Sequence, residues 1–186
     1  VSGFQLLKDY GIKVADFRVC KSNSEIEKSA KKLGFPVVLK TLKDNLHHKT
    51  ELNGVFTDIK NLKELRIKYT DIRKRLGKNV LISKMISGGL EWSIGMKNDL
   101  DFGPAIMVSL GGTMIDLIDE KVLLMAPFSK NELKMKIRKL KSFKILQGYR
   151  RSKKYSLEKL CETASKLSFL AFDFRKHLQE IDLNPV

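Results

Sequence analysis

Glycine pairs cut the apolar runs of this chain into short pieces, and nothing else in the sequence constrains its fold as strongly. Gly88-Gly89 separates the runs 80–86 and 90–96, and Gly111-Gly112 separates 105–108 from 114–118. Short apolar runs joined by tight glycine turns read as paired strands, so the spacing predicts two hairpin-like pairs. Pro36 opens a further run, Val37-Val38-Leu39, that ends on Lys40, and 55–59 reads as the strand returning beside it. A doubly wound sheet needs strict alternation of strand and helix, which hairpins interrupt. Neither GxGxxG nor GxxxxGK[ST] occurs, so the two commonest nucleotide fingerprints are absent. The expectation is an α+β (mixed α/β) fold.

Helices are announced by their caps. Residues 4–10 form a short helical pattern stopped by Gly11. Ser22 with Glu25 and Ser129 with Glu132 have capping-box spacing. The first precedes Ile26, Ala30 and Leu33 at helical intervals, and the second starts a helix running to about residue 140. Another helix is expected over 62–76. Ser156 caps a longer one that turns Leu157, Leu160, Ala164, Leu167 and Ala171 inward, and 179–183 closes the chain as a strand.

With 186 residues and 42% hydrophobic content, the chain can bury a core as one domain or as two joined lobes. Its longest uncharged run, 102–115, is shorter than the about 20 apolar residues a spanning helix needs and is broken by glycines and a proline; no membrane association is expected. The formal net charge is +15, with lysines and arginines concentrated at 134–144 and 150–154. A basic domain can bind nucleic acid or phosphorylated ligands. No nucleic-acid motif accompanies the charge and aromatics do not interleave with it, so the reading is solvated helix faces and no nucleic-acid partner. The start at Val1 without methionine suggests a piece of a longer chain. Cys20 and Cys161 are isolated and fit a reduced, cytoplasmic setting, with a single disulfide as the alternative.

Four constellations carry chemistry. Lys40, at the end of its strand, offers a charge to phosphate oxygens, with the following loop, 44–55, placed to cover them. That loop contains His47-His48-Lys49; neighbouring histidines on an extended segment point to opposite sides, which argues against joint metal binding. Glu91, after the Gly88-Gly89 turn, can accept two hydrogen bonds from a diol such as ribose. The turn at Gly111-Gly112 lets backbone approach a ligand or another strand closely. Near the end, alternation puts Glu180, Asp182 and Asn184 on one strand face, three oxygen-bearing side chains of the kind Mg2+ accepts. Each has a structural alternative: a solvated lysine, an idle loop pair, a surface carboxylate, a plain hairpin turn, an ordinary Asn-Pro turn.

Their order is more specific than any one of them. The series PVVLK, HHKTELNGV, GGLEWSIG, DLDFGPAIMVSLGG, APFSKNE, LQGYR and EIDLNPV resembles the ATP-grasp domain of ADP-forming acyl-CoA synthetases, acetate–CoA ligases of the NDP-forming class related to succinyl-CoA synthetase. The resemblance runs from about residue 4 to 186. It implies a single two-lobed ATP-grasp domain over 1–186, with ATP between a smaller nucleotide lobe, 14–86, and a larger lobe, 1–13 plus 87–186. By resemblance, Lys40 contacts phosphates under the 43–54 loop, together with Lys49 of that loop. Backbone around Leu81 to Met85, including Ser83, holds adenine, and Glu91 takes the ribose hydroxyls. Gly111 and Gly112 line the nucleotide, while Asn184, helped by Asp182, ligates Mg2+. His48 matches a family histidine implicated in passing phosphate between ADP and a phosphohistidine on a partner domain. The implied cofactors are ATP/ADP and Mg2+. The implied partners are CoA-binding and phosphohistidine-bearing domains, in the same chain or a partner subunit, with CoA and a small acid as co-substrates.

Departures from the family pattern bear on activity. Asn53-Gly54 replaces a Gly-Gly pair, and asparagine is the residue best able to keep such a turn. Ser109 replaces a glycine. Leu124 stands where the family usually has an arginine, and leucine cannot imitate a bidentate anion contact. An Asp-Ala-Arg segment that supplies another metal ligand in the family would lie beyond Val186, so the fragment alone is expected to be incomplete as a catalyst. The leading expectation is a ligase domain. A nucleotide-binding regulatory or structural module with degraded catalysis, for example in a fused acyltransferase, is the second, and a basic nucleic-acid or anion-binding domain, supported only by charge, the third.

Overall fold

The computed structural model describes residues 3–43, 54–112, 120–148 and 154–186. In chain order the elements begin α1 (Gly3–Asp9), β1 (Phe17–Cys20), α2 (Asn23–Leu33), β2 (Val37–Thr41), β3 (Val55–Ile59), α3 (Leu62–Leu76) and β4 (Val80–Lys84). They continue β5 (Trp92–Asp99), β6 (Gly103–Leu110), β7 (Lys121–Met125), α4 (Lys130–Ile137), α5 (Phe143–Leu146), α6 (Leu157–Asp173) and β8 (Glu180–Leu183). The chain divides into two compact units, Ala15–Ser87 and Val1–Val14 with Gly88–Val186. Helix and antiparallel sheet are mixed in both, as the α+β expectation required.

In the unit Ala15–Ser87 the strands run β1-β4-β2-β3, all antiparallel. Alternation along β2 sends Val37, Leu39 and Thr41 to one face and Val38 and Lys40 to the other. The first face packs with Cys20, Val80 and Ile82 against Ile26 and Ala30 of α2 and Leu65, Tyr69 and Ile72 of α3. Each fully buried aliphatic side chain there contributes about 1.5–3 kcal/mol by leaving water. The first capping box forms as spaced: Ser22 accepts the Glu25 N–H at 3.3 Å, and Glu25 reaches back to the Lys21 N–H at 2.7 Å. Asn61 caps α3 in the same way, accepting from the Glu64 N–H at 2.9 Å.

In the other unit the order is β7-β6-β5-β8, again antiparallel. One face presents Trp92, Ile94, Met96, Ile106, Val108, Leu110 and Val122 to a core completed by α4 and α6. The inward residues expected of the last helix fit: Leu160, Ala164, Leu167 and Ala171 are buried, with Leu157 at the margin. The segment before α4 is tied to α6 by serines, with Ser168 Oγ accepting the Phe128 N–H at 3.1 Å and Ser165 Oγ donating to the Phe128 carbonyl at 2.8 Å.

The structure corrects one pairing. β4 and β5, expected as a hairpin across Gly88-Gly89, belong to different sheets. The glycines sit where the chain leaves one unit for the other. A glycine pair serves an inter-unit crossing as readily as a hairpin, and partners for β4 on both sides come from β1 and β2. β6 does pair with β5, and also with β7, a strand that the sequence pattern did not mark; residues 114–118, expected as β6's partner, lie outside the described residues. Cys20 and Cys161 are buried free thiols in different units. Among the described residues no helix is long and apolar enough to cross a membrane.

Candidate functional site

In the unit Ala15–Ser87, Lys40 and Ser83 lie on the sheet face opposite α2 and α3. Lys40 is exposed there, level with Leu81 of β4 and Val55 of β3, and two residues from Val38, which faces Ser83. Antiparallel partners share a face, so Lys40 and half-buried Ser83 project to the same side. Among the described residues no carboxylate pairs with Lys40. Backbone bonds anchor the strand end next to it: the Thr41 N–H donates to the Gly54 carbonyl at 2.8 Å and the Leu42 N–H to Asn79 at 3.0 Å. The segment 44–53, which starts and returns at this end, holds His47, His48 and Lys49 and lies outside the described residues.

Met85 contributes less than expected as a backbone donor. Its N–H is already bonded to the Pro36 carbonyl at 3.1 Å and that of Lys84 to Asp16 at 3.0 Å. Its sulfur accepts the Asp58 N–H at 3.2 Å. The next N–H groups, on exposed Ile86 and Ser87, have no partner among the described residues, so donors free for a ligand's polar edge begin just past 81–85. Lys84, which the motifs did not single out, turns its ammonium to the carbonyls of Gly34 and Phe35 at 3.0 and 3.2 Å. A cation at the end of α2 offsets the negative pole of the helix and fixes β4 against it.

In the other unit, three predicted residues meet. The Gly111 N–H donates to the Glu91 carbonyl at 2.8 Å, extending the β5–β6 ladder by one pair. A Cβ on Gly111 would lie 3.2 Å from the Trp92 carbonyl carbon, and one on Gly112 only 2.5 Å from Oε2 of Glu91. Gly112 is thus the floor on which the Glu91 carboxylate lies, while Gly111 lets the two backbones close on each other. Alternation places Glu91 on the face of Ser93 and Gly95, away from α4 and α6.

The last strand brings its oxygens to that same face. Asp182 stands opposite Gly95 and Glu180 opposite Lys97. Beyond Leu183, which faces Ile94, the chain bulges: Val186 exchanges backbone bonds with Trp92 at 2.8 and 3.2 Å, leaving Asn184 and Pro185 opposite the single residue Ser93. A bulge bends a strand and re-aims its side chains, here where Asn184 is exposed. Among the described residues no group of three or more His, Cys, Asp or Glu side chains is arranged to hold a metal. Asp182 and Asn184 therefore fit Mg2+ only in its usual habit, with one or two protein ligands and the remainder from phosphate and water.

Leu124 has a packing role. It lies on the helix-covered face, opposite Ile106, and packs against the core, whereas its neighbours Leu123 and Met125 are 64% and 44% exposed on the other face. Glu120, just before β7, accepts the N–H groups of Ser142 and Lys141 at 2.8 and 2.9 Å, which hold its carboxyl below the usual range. Two open clefts of about 430 and 380 Å3 lie one in each unit and are lined by none of the predicted residues. In each unit the candidate residues lie on or beside a sheet face.

Residues 1–186 match the family described as the ATP-grasp domain. The chain belongs to the ATP-grasp family. This ATP-grasp domain is 33% identical over 190 residues to the beta subunit of acetate–CoA ligase [ADP-forming] I of Pyrococcus furiosus, covering 98% of this chain and 82% of that subunit. It is 35% identical over 192 residues to the 4-hydroxybutyrate–CoA ligase [ADP-forming] of Nitrosopumilus maritimus, covering 99% of this chain and 27% of that protein's length. Among solved structures it is similar to the dinucleotide forming acetyl-coenzyme A synthetase 1 of Ca. Korarchaeum cryptofilum, in complex with coenzyme A and Mg-AMPPCP and with its phosphohistidine segment pointing towards the nucleotide binding site. That likeness has a TM-score of 0.82 at 28% identity, over 97% of this chain and 80% of the other. The domain is thus homologous to the ATP-grasp portion of ADP-forming acyl-CoA ligases.

Proposed function

We propose that this domain holds ATP or ADP with Mg2+ and moves phosphate between the nucleotide and a phosphohistidine on a partner domain. The whole reaction would be acid + CoA + ATP giving acyl-CoA + ADP + phosphate, in either direction, with CoA and acid held mainly by partner domains of the same chain or another subunit. The unit Ala15–Ser87 serves as the smaller nucleotide lobe and the remainder as the larger. Lys40 and Lys49 supply positive charge to phosphate, Ser83 and the backbone at Ile86 and Ser87 take the base, and Glu91 takes the ribose diol. Asp182 and Asn184 give two oxygens to Mg2+, whose chemistry there is to neutralise phosphate charge. His48 relays phosphate. The cytoplasm is the expected compartment.

The observation that carries this reading is the meeting of Glu91 with Gly111 and Gly112 on the sheet face that also bears Asp182, with exposed Asn184 in the bulge two residues on. A diol acceptor on the same face as a carboxylate suited to magnesium is what a nucleotide needs, and the family relatives act with nucleotide. Calorimetry on the intact protein tests it. MgADP and MgATP should bind, Mg2+ alone should not, and Asp182→Ala with Asn184→Ala should remove the dependence on Mg2+. Failure of the intact protein to bind either nucleotide, with or without metal, would sink the proposal.

A further inference from the structure

Gly111 and Gly112 are both crowded, but by different things. Around Gly111 the near atoms are backbone: the carbonyl carbons of Trp92 and Glu91 at 3.2 and 3.3 Å from an added Cβ, and the Glu91 oxygen at 3.4 Å. Around Gly112 they belong to one side chain, Oε2 of Glu91 at 2.5 Å and its Cδ at 3.4 Å. A methyl group at 111 would press on the ladder itself. A methyl group at 112 would press on the free end of a flexible side chain, which can swing aside while the bond from the Gly111 N–H to the Glu91 carbonyl stays in place.

Among the described residues nothing else fixes that carboxylate. Glu91 is exposed, and among the described residues no hydrogen bond or ion pair holds its oxygens. Both remain free to accept, and the bare Cα of Gly112 is what lets one of them rest where it does. A carboxylate with two free oxygens matches a vicinal diol that donates two hydroxyl hydrogens.

We propose that Gly112 is a positioning residue that sets the preference for a ribose over a deoxyribose nucleotide, by leaving the room that Glu91 needs to meet both hydroxyls. This rests on the nucleotide reading above. The competing explanation is backbone conformation alone, because φ at Gly112 is +62°, where side chains are disfavoured. The two separate cleanly. Asparagine tolerates such a φ better than other non-glycine residues, yet it carries a Cβ. Conformation alone predicts that Gly112→Asn behaves better than Gly112→Ala; crowding predicts that both displace the carboxylate.

The test is calorimetric titration of the intact protein with MgATP, Mg-2′-deoxy-ATP and Mg-3′-deoxy-ATP. The parent should favour ATP over each deoxy form by about tenfold or more, the worth of a charge-assisted hydrogen bond. Gly112→Ala and Gly112→Asn should both bring the ratio close to one, as should Glu91→Ala. Adding Gly112→Ala to Glu91→Ala should change the ratio no further, the signature of two residues acting through one contact. A variant that keeps the parental preference overturns the inference, and so does rescue by asparagine. Should Gly112→Ala unfold, Gly112→Asn decides alone. Unfolding of both also overturns it, since the argument requires the carboxylate and not the backbone to give way. A parent that binds MgATP without preference refutes the role of Gly112 and leaves the nucleotide reading standing. A parent that binds none of the three refutes both.

Discussion

Replacing Lys40 by alanine separates a ligand contact from a structural one. The side chain is exposed on the sheet face opposite the helices, and no carboxylate pairs with it among the described residues. Its removal should cost the fold within about 0.5 kcal/mol, as for other surface positions. At about 2–4 °C per kcal/mol for a chain of this length, the melting temperature should move by about 1–2 °C. Nucleotide binding should suffer much more, because a charge-assisted contact to phosphate is worth about 1.5–3 kcal/mol, or about one to two decades in affinity. At a nucleotide concentration about 100 times the parental Kd, ligand stabilises the parent by about 2.7 kcal/mol. In Lys40→Ala that gain should fall to between about 1.4 and about 0.4 kcal/mol. Thermal unfolding with and without MgADP reads both quantities, and adenosine, which lacks phosphate, should bind parent and variant alike. A variant with undiminished stabilisation by MgADP would refute the phosphate contact. A variant that melts many degrees lower without ligand would show that Lys40 supports the sheet.

Further outcomes follow from other sites. In the intact protein supplied with acid, CoA and ATP, His48→Ala should lower turnover strongly while nucleotide binding persists, and His47→Ala should be close to silent; equal losses would point to a structural role for the pair. Ser168→Ala should strand the buried Phe128 N–H and cost about 1–3 kcal/mol, read as a lower denaturant midpoint at unchanged slope; no change in midpoint would contradict it. Tyr10 donates to Asp173, and that bond pushes its pKa up to about 12. Its neutral form is favoured in the folded state, so the contribution is fully present below the ordinary value near pH 10 and is lost between there and about pH 12. Tyr10→Phe should therefore be less stable than the parent at neutral pH and show a shallower alkaline loss in unfolding titrations; identical alkaline limbs would count against the bond.

What the sequence determined is local. Ser22, Ser129 and Ser156 each accept an N–H from the third residue of their helix, because a cap needs only a short polar side chain at one spacing. The strand pair 37–41 and 55–59 follows from the apolar run that Pro36 opens and the run that returns beside it, and the residue types at Lys40, Glu91 and Asp182 carried the family resemblance. Pairing between distant strands was beyond it. β1 has one buried residue in four, and in β7 the run Val122-Leu123-Leu124-Met125 is apolar on both faces, so neither stood out as a strand. Gly88-Gly89 looked the same whether it closed a hairpin or crossed between units. Leu124 read as a missing charge until its register against Ile106 put it among core side chains. Only the tertiary structure brought β8 beside β5, so that Asp182 faces Gly95 and the bulge at Asn184 falls across from Ser93. It alone laid the Glu91 carboxylate on Gly112, because a contact between residues on different strands depends on register and strand order, which burial of the opposite face selects and no local spacing records.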